Sequence, residues 1–133
     1  MWNDESGSAA LAVIGAVGLL LVLTLWLAAL AVVMQARLDA TTAADAAALA
    51  AAPVTFLPFG ATGSAADEAA RFAHLNGAEL LWCICGLDQS FEARTVEVRV
   101  AKRVHLPILG ATNIEATGRA EFAPARLLEA LDD

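Results

Sequence analysis

No feature constrains this chain more than the twenty-six residues from Ala9 to Met34, which carry no charge at all. As a helix that segment is about 39 Å long, enough to cross a hydrocarbon core of about 30 Å with some tilt. It is apolar on every side and so has no face to turn to water, as a surface helix of a soluble domain would. A single transmembrane helix over residues 9–34 is the expectation. The eight residues before it, MWNDESGS, hold no basic residue, and the apolar run is too long for the core of a cleaved signal peptide. An uncleaved anchor is expected, with residues 1–8 as a short polar leader and Trp2 as an interfacial residue.

The helix is expected to run on outside the membrane. From Gln35 to Ala52 the sequence QARLDATTAADAAALAAA has neither Gly nor Pro, and Pro53 is read as its end. Turning 100° per residue puts Ala36, Ala40, Ala43, Ala44, Ala47 and Ala51 on one side, with Leu38, Thr42, Asp45 and Leu49 opposite. A flank with nothing larger than a methyl lets another helix or a sheet come close to the backbone. Those six alanines form the candidate helix-packing face.

Beyond that helix about eighty residues remain, enough for one small domain with a thin core, assigned to residues 53–133. All eight Lys and Arg, but also thirteen of the fifteen acidic residues, lie after the span, giving that part a net charge of −5. Such a balance argues against nucleic acid as a partner, since that requires a clustered basic surface. After an irregular stretch, VTFLPFGATGS, Ser64 and Asp67 resemble a capping box ahead of a short helix. That helix stops at Asn76-Gly77 and buries Leu75, Phe72 and the small residues at 65, 69 and 73. Ala78–Cys85 is an apolar run read as a buried strand. From Phe91 to His105 a period of two sets Val96, Val98, Val100 and Val104 against Glu97, Arg99 and Arg103, and Lys102 interrupts the apolar face, so the strand is expected to leave the core there. LPILGATN reads as a turn. Alternation returns from Asn113 to Phe122, and ARLLEAL after Pro124 reads as a short last helix. The expected fold class is α+β: a long N-terminal helix on a three-stranded antiparallel sheet with a short second helix.

Candidate chemistry is sparse. Cys83 and Cys85 share one face of a strand, but two extended residues separate their Cα atoms by about 6.6 Å, near the limit for a disulfide. Free, partly buried thiols are the expectation. His74 and His105 are too few to complete a zinc site with them. No catalytic triad spacing, phosphate loop or dinucleotide fingerprint is present. No enzyme activity, cofactor, metal or small-molecule substrate is expected.

The segment from Gly7 to Pro53, and above all Ala43-Ala44-Asp45-Ala46-Ala47-Ala48-Leu49-Ala50, resembles the N-terminal region of TadE- and TadG-like proteins, pseudopilin-like components of the Tad (Flp) pilus machinery. The later pieces RVHLPILG and IEATGRAEF, with the small acidic body, resemble the short actinobacterial TadE-like type. The resemblance implies a minor pilin or pseudopilin in the cytoplasmic membrane, N-terminus in and C-terminal domain outside. Its implied partners are other pilin-like or secretion membrane proteins and membrane lipid. It also implies a processing site at Gly7-Ser8, although Ala12 stands where substrates of that peptidase carry Glu. The lone Arg37 beside the span would by charge place the domain inside, the opposite orientation. An alternative is a membrane-anchored extracytoplasmic module that binds protein through its sheet and has nothing to do with pili.

Overall fold

The structure, a computed structural model, describes residues 5–57, 61, 63–106 and 110–129. Helix α1 spans Glu5–Val54, and is followed by α2 (Ala65–Leu75), β1 (Glu79–Ile84), β2 (Arg94–Leu106), β3 (Gly110–Phe122) and α3 (Ala125–Glu129). The chain divides into two compact units, one ending at Met34 and one beginning at Gln35. Trp2 and residues 107–109 of the expected turn lie outside the described residues.

The first unit is the apolar part of α1. Its large side chains are exposed on all sides, Leu11, Leu19 and Trp26 among them. Here Thr24 is the polar exception. Its hydroxyl donates to the carbonyls of Leu20 and Leu21, at 2.7 and 2.9 Å, so no donor is left without a partner in an apolar setting. This is a helix long and apolar enough to cross a membrane.

In the second unit the rest of α1 is a core helix. Pro53 falls inside its last turn rather than beyond it, and the end is closed by Thr55, whose N–H reaches the carbonyls of Ala51 and Ala52. The Thr55 hydroxyl, buried, donates to Ala52 at 2.6 Å. The three strands pair antiparallel in the order β1-β2-β3. One face of the sheet carries Val96, Val98 and Val100, all fully buried, beside Ala116, Gly118 and Ala120 of β3. Each buried valine contributes roughly 2 kcal/mol of apolar burial. The other face is charged, with Arg99–Glu115 (2.7 Å) and Arg119–Glu97 (3.1 Å) as exposed ion pairs that add little stability.

Helix α2 begins with the expected box: the Ser64 hydroxyl accepts from the Asp67 N–H, and the Asp67 carboxylate accepts from the Ser64 N–H at 2.8 Å. Asn76 and then Gly77, at φ +70°, close it. Ala65, Ala69 and Ala73 are buried, but Leu75 is exposed. At 100° per residue Leu75 lies about 120° from the centre of that face, too far round to reach the core.

The sheet departs from the sequence reading in three places. The run at 78–85 is a half-exposed edge strand and not a buried one: β1 reads exposed at Leu81, Trp82 and Ile84. The register slips between Leu80 and Trp82, so Leu81 is the extra residue of a bulge that turns Leu80 and Cys83 to the same inward face. Secondly, β2 leaves the buried core after Val100, as expected near Lys102, but the strand does not end there. It stays paired with β3 as far as Leu106 and Gly110, and the Lys102 amino group meets Asp39 of α1 at 3.0 Å. Gly110, Ala111 and Thr112 therefore belong to β3, not to a turn. Thirdly, Phe91 precedes β2, where its ring packs edge-on against Phe56 at 5.3 Å.

Candidate helix-packing site

The six alanines of the candidate face are brought together, and each is buried: Ala36 at 5 % exposure, and Ala40, Ala43, Ala44, Ala47 and Ala51 at none. Ala48 and Ala52 join them. Leu38, Thr42, Asp45 and Leu49 are exposed on the far side, and the Thr42 hydroxyl folds back onto the Leu38 carbonyl. What covers the alanines is the chain's own sheet and α2. Ala43, Ala44, Ala47, Ala48 and Ala51 share one cluster with Val96, Val98, Val100, Ala120 and the α2 alanines. The flank that the sequence offered to a neighbouring molecule is thus occupied from within.

The approach is closest at Gly118. A Cβ there would stand 2.4 Å from both the carbonyl carbon and the carbonyl oxygen of Ala44, so the strand touches the helix backbone itself. Small faces small: an alanine stripe on α1 meets Ala116, Gly118 and Ala120 on β3. The signal for this lay in the alternation of β3, whose inward positions between Ile114 and Phe122 are all small.

Three further residues fix this packing, and only Lys102 among them stood out in the sequence, as a break in an apolar face. Lys102 and Asp39 bind α1 to β2, and the Lys102 hydrogen bond, helped by one from Gln35, holds the Asp39 carboxyl below its ordinary value. At the other end of the unit Arg94 donates to the backbone carbonyls of Asp88, Ser90 and Glu92, organising the turn before β2. That turn is tied to the end of α1 by a hydrogen bond from the Asp88 N–H to Thr55, at 2.8 Å.

The candidate chemical residues are not gathered into one place. Cys83 and Cys85 are joined in a disulfide, and are not free thiols. Their Cα atoms are 5.4 Å apart, closer than in an extended strand, because β1 ends at Ile84 and Cys85 already turns out of it. His74 and Arg103 line one hollow of ≈ 360 Å³ with Glu79 and Asn113; Ser64 and Cys85 line another of ≈ 370 Å³. Among the described residues no three His, Cys, Asp or Glu side chains are grouped to hold a metal ion. Gly7 and Ser8, the candidate processing site, are exposed in the first turns of α1.

Compared with known proteins, the chain matches no family model, no curated protein and no solved structure.

Proposed function

We propose that the chain is a structural, non-catalytic membrane protein of pilin-like layout: a minor pilin or pseudopilin of a Tad-type pilus or related secretion machinery. One observation carries the reading. A single helix, Glu5–Val54, supplies both a membrane-length apolar segment and the core helix of a small α+β domain. In a protein tethered only for location, anchor and fold have no reason to share one helix.

The proposed location is the cytoplasmic membrane, N-terminus in, with the domain outside. The Cys83–Cys85 disulfide supports that side, since disulfides persist in oxidising compartments and not in the cytosol. Because the alanine face is occupied by the sheet, the surfaces left for pilin-like partners are the apolar segment itself and the exposed side of α1 at Leu38 and Leu49. Ala40→Leu or Ala44→Leu would therefore damage the domain before it damaged assembly. The discriminating experiment replaces residues 9–34 with an unrelated apolar span. Loss of co-purification with pilus or secretion components, with insertion and the folded domain retained, is the expected outcome; unchanged co-purification would refute the pilin-like role.

A second reading has one observation in its favour. The edge strand β1 leaves Leu81, Trp82 and Ile84 exposed, apolar side chains suited to a protein-binding module that merely uses the span as an anchor. Such a module would survive the span replacement.

A further inference from the structure

We propose that the hollow of ≈ 360 Å³ between the start of β1 and the paired residues Arg103 and Asn113 binds a small zwitterion. Such a ligand has a free ammonium and a free carboxylate a few ångströms apart, as an amino acid or a dipeptide does. The site goes beyond the structural role and belongs wholly to the unit that begins at Gln35, whatever the apolar segment does.

The backbone makes the hollow. Gly77, at φ +70°, turns the chain out of α2, and β1 opens with Glu79 opposite Ala101. Strands β2 and β3 run on past that point, so Arg103 and Asn113 pair with each other and have no third strand beside them. Ala101, half-buried and the smallest side chain on the outward face of β2, forms the floor. Glu79 stands across from it on β1, Arg103 follows two residues along β2, and His74 in the last turn of α2 completes the lining.

The charges single this hollow out. Glu79 and Arg103 are diagonal neighbours across β1 and β2, a spacing of about 7–8 Å that long side chains bridge readily. Arg99 and Glu115 stand in the same diagonal relation across β2 and β3, and they close to 2.7 Å. Glu79 and Arg103 do not. Among the described residues neither takes part in an ion pair, and both line the hollow. Glu115, on the far side of Ala101, is already neutralised by Arg99, which leaves Glu79 as the one carboxylate of the lining. The Asn113 amide adds a donor and an acceptor. A simple anion would meet Glu79 as a like charge, and a simple cation would meet Arg103. A zwitterion satisfies both, its carboxylate on the guanidinium fork and its ammonium on Glu79. The volume lies at the small end of the range for ligand pockets.

The test titrates the full chain, isotope-labelled for NMR in nanodiscs, with L-alanine and with L-alanyl-L-alanine. The amides of Gly77, Ala101 and Asn113 should shift saturably. Glu79 and Arg103 are exposed, so Glu79→Gln and Arg103→Gln leave the fold intact. Each should weaken binding about tenfold, as should N-acetylation or C-amidation of the dipeptide. Tighter binding of alanine names a free amino acid as the ligand, and tighter binding of the dipeptide names a peptide; either upholds the site. Equal binding of either capped dipeptide makes the blocked end irrelevant and overturns the zwitterion. Equal affinity in the wild type and both variants puts the probe elsewhere and overturns the site, as does the lack of a saturable shift with either probe.

Discussion

Gly118 is the residue on which the seating of α1 turns. Gly118→Ala would place a methyl 2.4 Å from the Ala44 carbonyl, so strand and helix must separate. The expected loss is about 2 kcal/mol, read by denaturant titration of the full chain in nanodiscs. The sign is informative, because removing a glycine from a strand whose backbone tolerates alanine stabilises by up to about 1 kcal/mol when nothing stands in the way. A gain would mean that the helix does not lie against β3. Asp39 makes a second residue-scale test. Its folded carboxyl is held below the ordinary value of 3.8, chiefly by the Lys102 hydrogen bond. A depressed folded value stabilises above the unfolded value, and that contribution disappears as pH falls from about 4 through the folded midpoint. In an NMR titration Asp39 should ionise below 3.8 in the native chain and move upward in Lys102→Met; an unmoved midpoint would deny the contact between α1 and β2.

At the scale of single elements, α2 is the most self-contained. Ser64→Ala removes the acceptor for the Asp67 N–H and should cost about 1 kcal/mol, measured by the same titration. The bonded Cys83 and Cys85 make a sharper prediction: in native membranes neither should be alkylated until a reductant is added. Ready alkylation without reductant would place the domain in a reducing compartment. How legible each element was in the sequence follows from how local its cause is. The ends of α2 are set by Ser64, Asp67 and Gly77 within the helix itself, and they could be read directly. β3 could be read because its alternation is unbroken from Asn113 to Phe122. β1 could not, because the bulge at Leu81 resets the period of two within six residues, and an apolar run then resembles a buried strand while half of it faces outward. Why a lysine stands on the apolar face of β2 was hidden for a different reason: its partner, Asp39, is sixty-three residues away.

For the whole molecule, the sequence made the apolar segment, the long helix and the smooth flank plain, because each is a property of consecutive residues. It did not say what covers the flank. That depends on small residues of β3 and α2 arriving opposite the alanines, and only the fold brings them there. The consequence is that α1 is at once a membrane-length apolar helix and the centre of the folded unit, so the two cannot be separated by mutation of the alanine face. Hydrogen exchange of the full chain in nanodiscs reads this directly. Amides from Ala40 to Ala52 should exchange as slowly as those of Val96, Val98 and Val100, opening only with the whole domain, and protection should run without a gap across Met34 and Gln35. Fast exchange at residues 33–37, or opening of residues 40–52 while the sheet stays protected, would contradict a helix that both spans and holds the fold.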